Sequence, residues 1–268
     1  MKQQCEGIFL TKSIVAGLMF VSMFVSVRAQ DGGAVGTKVK PEVSASITAG
    51  YGFHDGTFRS LPPVENCCTG YESSGGFSTG GHVSLAIPVA NGALLLGTKF
   101  GYQYFNAAFS ATTVEKVYGG SVASVDARIR HDLDVSWNMA VIGVGAEYAI
   151  MKQLWLGLWL DGFYVIRAGY EQRETIESPA NIVFENGATT RDVRSGKLAD
   201  YNSITGGVAG QIRYRLFDRE DIGTFTGIDL VCRYMVPFTS LYQHDTQWRE
   251  SSIDYKLRYI VGGVSVTF

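Results

Sequence analysis

Tyr259-Ile260-Val261-Gly262-Gly263-Val264-Ser265-Val266-Thr267-Phe268 closes the chain with apolar residues alternating with small or polar ones, and ends on an aromatic ring. A β-strand points successive side chains to opposite faces, so Ile260, Val264, Val266 and Phe268 line one side while Val261, Gly263, Ser265 and Thr267 line the other. In a strand that crosses a bilayer within a closed barrel, one face meets lipid and the other the lumen. The stretch therefore predicts the last strand of a transmembrane barrel, and with it a compartment, a topology and an export route.

The same period of two recurs upstream. Segments near 43–53, 76–88, 93–105, 133–148, 154–168, 202–216, 224–236 and 255–268 are long enough to cross, since a tilted strand needs about 9–11 residues. Val43, Ala45, Ile47, Ala49, Tyr51 and Phe53 alternate with Ser44, Ser46, Thr48, Gly50, Gly52 and His54. In the fourth segment Leu133, Val135, Trp137, Met139 and Val141 oppose Asp134, Ser136, Asn138 and Ala140, which predicts the first set outside and the second inside. The fifth sets Leu154, Leu156, Leu158 and Leu160 against Trp155, Gly157, Trp159 and Asp161. A helix would repeat at 3.6 instead. The fold class expected is all-β, an eight-stranded antiparallel up-and-down transmembrane barrel over residues 43–268.

Connections alternate in length. Those after the second, fourth and sixth segments are short, the first being Val89-Ala90-Asn91-Gly92 with a hairpin-favouring Asn-Gly. Those at 54–75, 106–132, 169–201 and 238–254 are long. Outer-membrane barrels have short periplasmic turns and long extracellular loops, so both termini are expected in the periplasm. Thr113 to Val125 could form a hairpin turning at Gly119-Gly120 that prolongs the third and fourth strands, an alternative to a count of ten strands. All six prolines fall in loops or at strand ends. An aromatic belt is expected from Tyr51, Phe53, Phe77, Tyr102, Tyr104, Trp137, Tyr164 and Tyr234 at the outer rim, with Tyr214 and Phe268 at the inner one.

Lys2 and Lys12 precede an apolar run from Ile14 to Val27, followed by Val27-Arg28-Ala29, which reads as a signal peptide over residues 1–29 with a cleavage site. Residues 30–42 then form a periplasmic segment. Removing Lys2, Lys12, Arg28 and Glu6 from 23 basic and 25 acidic residues leaves 20 and 24, a mildly acidic chain. No basic stripe interleaved with aromatics appears, so no nucleic-acid partner is expected. The apolar share of 46% and a mean hydropathy of +0.07 are shared by soluble all-β proteins, and a β-sandwich or lipocalin-like fold is the remaining structural alternative.

From about residue 43 to 268 the chain resembles the small outer-membrane barrels of the OmpA-type and PorT-like superfamily. The resemblance is carried by Val264-Ser-Val-Thr-Phe268, by the Gly-rich stretch from Gly75 to Pro88 and by the alternating turns. It implies an address in the bacterial outer membrane, contact with its lipid and lipopolysaccharide, and delivery to the barrel-assembly machinery through the strand ending at Phe268. A carboxy-terminal peptidoglycan-binding domain is not expected.

Lumen-facing candidates are His82, Lys99, Gln103, Asp134, Asp161, Arg167, Gln211, Arg213, Arg215, Asp229 and Arg233. An eight-stranded barrel is just wide enough for side chains to fill, so these charges are expected to pair as a plug, with Asp134, Asp161 and Asp229 opposite Arg213, Arg215 and Arg233. His54-Asp55, His131-Asp132 and His244-Asp245 lie near the outer rim and are weak candidates for a transition-metal site; as Asp commonly ends strands at turns, no metal or other cofactor is expected. An enzyme acting on lipid is the rival class, but Ser136 and His131 are five residues apart on one strand, hence on opposite faces, and no G-x-S-x-G elbow exists. His82 and Ser84 share the inward face. Cys5 leaves with the signal, Cys232 is expected to face lipid, and Cys67-Cys68 in the first long loop are candidates for oxidation in an exported protein, as a vicinal disulfide or between chains. The expected role is structural or surface-interacting, with a narrow pore as the runner-up; the ligand of the long loops is not readable.

Overall fold

The computed structural model describes residues 40–55, 71, 74–117, 124–199, 201–218, 226–245 and 252–268. The expected signal peptide, Cys67, Cys68 and the expected turn at Gly119-Gly120 lie outside the described residues. The strands are β1 (Glu42–Asp55), β2 (Ser74–Val89), β3 (Leu94–Val117), β4 (Val125–Met151), β5 (Leu154–Ser178), β6 (Thr190–Lys197), β7 (Ile204–Asp218), β8 (Gly227–Pro237), β9 (Tyr242–Asp245) and β10 (Ser252–Thr267). Eight of them pair in the order β1-β2-β3-β4-β5-β7-β8-β10, and β10 returns to β1 to close an antiparallel ring. β6 pairs β5 and β9 pairs β10, each outside the ring.

Closure follows from the alternation in the last strand. Ser44 to Asp55 run opposite Thr267 to Lys256, which puts Ile47 beside Val264 on the outer face and Ser46 beside Ser265 within. The Ser46 hydroxyl donates to Ser265 Oγ at 2.8 Å, and Phe268 N donates to the Val43 carbonyl at 2.8 Å. The short turn from β2 to β3 is a single helical turn, Ala90–Gly92, where Gly92 takes a φ of 83°, a conformation open to a residue without Cβ.

Each ring strand overlaps its expected segment, but β3, β4 and β5 run well past the predicted ends, and the polarity of the pattern reverses along them. On β3 the inward face reads Lys99 and Gln103 and then Phe105, Ala107, Phe109 and Ala111, all buried; the outward face reads Leu96, Phe100 and Tyr102 and then Asn106, Ser110 and Thr112. β4 does the same in the other direction. Trp137 is 1% exposed and Ile142 64% exposed, so Leu133, Val135, Trp137, Met139 and Val141 fill the interior and Ile142, Val144, Tyr148 and Ile150 face out. This corrects three expectations. The fourth strand has the opposite facing, Asp134 points outward, and Trp137 leaves the aromatic belt for the core. Arg167, expected inside, is also exposed: the β4 register steps from Arg167 opposite Asn138 to Val165 opposite Met139, and this bulge turns both Ile166 and Arg167 out.

The barrel thus has two stacked halves. In one, an outward apolar band runs from Leu154 to Tyr164 on β5, with Tyr51, Phe53, Phe77, Tyr102 and Tyr234 at its upper edge and Tyr214 and Phe268 on the outer face nearer the short turns, around a polar lumen. In the other, an apolar core is wrapped by a charged surface. Tilted, stacked and edge-to-face rings hold that core, with Phe105 and Tyr259 centroids 5.2 Å apart, Trp137 and Tyr255 5.9 Å apart, and Trp137 and Tyr201 5.6 Å apart.

Trp137→Ala should cost about 3–5 kcal/mol in urea unfolding, the range for emptying a buried aromatic site. A water-soluble maleimide should label Asp134→Cys and leave Val135→Cys unmodified in the folded barrel, the reverse of what an outward Leu133–Val141 face requires.

Candidate functional site

The charges of the polar lumen come from inward positions of six strands, β1, β3, β4, β5, β7 and β8. β4 supplies room as well as ligands: a Cβ at Gly143 would meet Asp161 Oδ1 at 2.5 Å and the Lys99 side chain at 2.6 Å, and one at Gly145 would strike the Trp159 ring at 2.4 Å. Glycine here lets large side chains from β3 and β5 meet in the barrel axis. A lone charge at such a site would be costly, and each is compensated.

Two linked levels result. In the upper one Lys99 Nζ lies 3.0 Å from Asp161 Oδ1, and Arg233 donates to Asp161 Oδ2. Trp159 underlies both cations, its centroid 5.2 Å from Lys99 Nζ and 5.7 Å from Arg233 Cζ. Arg233 Nη1 donates to Gln211 Oε1 at 3.0 Å, and Gln211 Nε2 donates to Glu147 Oε1 at 2.6 Å, which passes the network downward. In the lower level Arg213 Nε is 2.8 Å from Glu147 Oε2 and its Nη1 is 3.1 Å from Asp229 Oδ2, while Arg215 Nε donates to Asp229 Oδ1 at 2.9 Å. Glu42 reaches within 3.6 Å of both arginines, and the Thr267 hydroxyl donates to Asp229. Lys99, Arg213, Arg215 and Arg233 therefore balance Glu42, Glu147, Asp161 and Asp229. Above them Val141, Phe105, Phe163 and Tyr259 cap the lumen with apolar surface. A cavity of about 20 Å³ beside His82, Lys99, Gln103 and Arg233 has room for one water.

Asp161, Asp229, Lys99, Arg213, Arg215 and Arg233 are brought together; Asp134 and Arg167 are not. Glu42 and Glu147 were not among the expected lumen charges. Glu147 shares its parity with Trp137 on an uninterrupted strand, and that was the available signal. Cys232 points outward between Leu230 and Tyr234.

The three rim histidines do not converge on one another by any described contact. His54 is fully buried, its Nδ1 bonded to the Tyr255 hydroxyl and its ring stacked on Tyr255 with centroids 5.6 Å apart. His131 lies on β4 beyond the apolar band, Nδ1 3.1 Å from Glu174 Oε1 and Nε2 2.9 Å from Thr113 Oγ1 and 3.6 Å from Glu115. His244 pairs Ile253 through its backbone. Among the described residues no group of three metal-ligating side chains forms. For the lipid-enzyme reading, Ser136 and His131 lie on opposite faces, and Ser84 Oγ is 2.6 Å from Ser44 Oγ.

Glu174 also holds Arg191, whose Nη2 is 2.6 Å away and whose guanidinium packs 4.4 Å over Phe184. The hydrogen bond from His131, and then Arg191, hold the Glu174 carboxyl below its ordinary value of 4.5 against the opposing effect of burial. Its contribution is present above the ordinary carboxylate range and is lost as pH falls through the lowered folded value.

No protein-family model and no curated protein matches this chain. Among solved structures it is similar to Neisserial surface protein A, at 14% identity over 85% of this chain and 97% of that one with a TM-score of 0.29. It is similar to Ail, the attachment invasion locus protein of Yersinia pestis, at 11% identity over 84% and 98%, TM-score 0.27. The outer membrane protease OmpT from Escherichia coli aligns at 12% identity over 87% and 99%, TM-score 0.38. The fold stated above rests on this chain's own strand pairing.

Asp161→Asn should destabilise the folded barrel by about 3–5 kcal/mol, because it leaves Lys99 and Arg233 buried around a neutral group. Glu174→Gln should lower unfolding free energy at pH 7 by about 1 kcal/mol and should converge with the parent chain in acid, as measured by urea titrations between pH 3 and 7.

Proposed function

We propose that this chain is an integral protein of the bacterial outer membrane whose lumen is sealed and whose task is structural or surface-interacting. The observation that carries this reading is the outward apolar band around a charge-balanced interior. Leu154 to Tyr164 gives β5 the length that a tilted strand needs to cross hydrocarbon, and a ring of strands leaves no unpaired edge within it. Ile47, Phe100, Ile142 and Leu158 are more than half exposed on that belt, which suits acyl chains and not water. The five aromatic rings at the upper edge fit the level of the headgroups.

The strand ends joined by short turns, with both termini, are assigned to the periplasm, and the extended ends of β3, β4 and β5 to the cell exterior. Placement among the small OmpA-type barrels rests on the Val264-Ser-Val-Thr-Phe268 ending and the Gly-rich β2. That ending is also what the barrel-assembly machinery would receive. The role is non-catalytic in this reading, since the inward polar groups are engaged with one another and point into a lumen capped by Phe105, Phe163 and Tyr259. Among the described residues the same apolar cap stands across the path an ion would take through the lumen, which supports the sealed reading.

The folded protein should fractionate with outer membranes, migrate differently in gels with and without heating, and give no discrete conductance steps in planar bilayers. Stepwise channels from correctly folded protein would replace the sealed reading with a pore.

A further inference from the structure

The bulge in β5 has no evident use in closing the barrel, and what it presents is a cation. Without it Arg167 would follow Asp161, Phe163 and Val165 into the interior; with it, the side chain emerges one step above Tyr164 and Ile166, both more than half exposed on the outer face. Its neighbours in register are uncharged: Asn138 lies opposite, and Ser136 is opposite Gly169. On the other side Lys197 of β6 pairs Gly169. Gly196 lies against the buried Tyr170 ring, so Lys197, next in the strand, points outward with Gly169. Arg167 and Lys197 are diagonal neighbours across β5 and β6, about 7–8 Å apart at Cα, within reach of a common anion.

Gly169 leaves the space between them open, with only Ser136 Oγ and the Gly196 carbonyl at its edge, each 3.4 Å from where a Cβ would stand. Neither Arg167 nor Lys197 has an ion-pair partner among the described residues, unlike Arg128, Arg130, Arg173 and Arg191 higher on the same sheet. One layer above, Asp134 and Glu171 face each other across β4 and β5 on the outer surface, which repels an anion from that side and leaves the membrane side open.

We propose that Arg167 and Lys197, with Ser136 and the gap at Gly169, form a site for the phosphate of an outer-leaflet lipid at the upper edge of the apolar band. The site rests on the membrane reading above, since it needs the acyl chains to lie along Tyr164, Ile166 and Ile204 below it. The lipid is bound at both ends: the guanidinium and ammonium hold the phosphate, and the exposed apolar side chains hold the chains. A free phosphate ion would gain only the first of these, so the source is the headgroup.

Native mass spectrometry of the folded protein titrated with bis-phosphorylated lipid A tests this, with dephosphorylated lipid A and inorganic phosphate as separate arms. Binding of the phosphorylated lipid should weaken about fivefold for Arg167→Gln and for Lys197→Gln, and further for the pair, the scale of one basic residue at an anionic surface. Gly169→Leu should weaken it without a change of charge, and Lys152→Gln in the turn at the other end should not. Equal affinity for the dephosphorylated lipid, unchanged affinity in the double variant, or equimolar displacement by inorganic phosphate would overturn the site. Heat-dependent migration and bilayer insertion, read on the same samples, separate the two proposals: an inserted barrel without phosphate preference ends this one alone, and a chain that does not insert ends the membrane reading with it.

Discussion

Backbone closure is the constraint on which the rest depends. A strand surrounded by hydrocarbon must find a partner for every N–H and C=O along both edges, and a sheet meets that demand only by returning on itself. Here the return is made by Ser44 to Asp55 against Lys256 to Thr267, two segments at opposite ends of the described chain. Because the period of a strand is two, that single register decides for β1 and β10 together which residues face in. A slip of one residue would set Ile47 opposite Gly263 or Ser265, so that one of the two strands would have to turn its apolar residues inward and its polar ones outward.

Once the ring is closed, inside and outside become two separate environments, and the chain treats them oppositely in each half. Where the outside is apolar, the inside can hold charges, because Asp161 and Asp229 each meet two cations and the lumen as a whole stays neutral. Where the outside is polar, the inside packs like the core of an ordinary globular domain around Trp137 and Tyr255. The change of regime falls within one or two residues on β3, between Gln103 and Phe105 on the inner face and between Tyr104 and Asn106 on the outer one. Extending the barrel past the apolar band therefore needs no new fold, only an exchange of residue types between the two parities.

That exchange also explains what the amino-acid pattern disclosed and what it hid. The count of eight ring strands, the facing of the last strand and the pairing of Arg213, Arg215 and Arg233 with aspartates were legible, because within the band polar means inside. Beyond it the same rule gives the wrong face, placing Asp134 in the lumen and Trp137 in the belt. Glu147 carried the correction: on one unbroken strand it stands ten positions from Trp137 and twelve from Val135, both even, so these must share a face, and a carboxylate does not belong on the apolar band. Arg167 had no such marker. A bulge is decided by how β5 fits against β4 around Asn138 and Met139, and a single sequence does not display that fit. The long connection at 169–201 was likewise read as loop, although Tyr170, Gln172 and Ile176 keep the inward period through it.

The overhang of β4 has a geometric consequence for anything approaching the surface. Residues 125–138 run past the belt, and at a rise of about 3.4 Å per residue and a tilt of about 40° they lift the tip of the hairpin roughly 35 Å along the barrel axis. Detergent would collar only the lower part of the molecule, and the upper part would keep the hydration of a water-soluble protein. Val117 and Val125 pair at the far described end of that lever, so substitutions on this arm change its chemistry while the register of the ring, fixed far below, stays as it is.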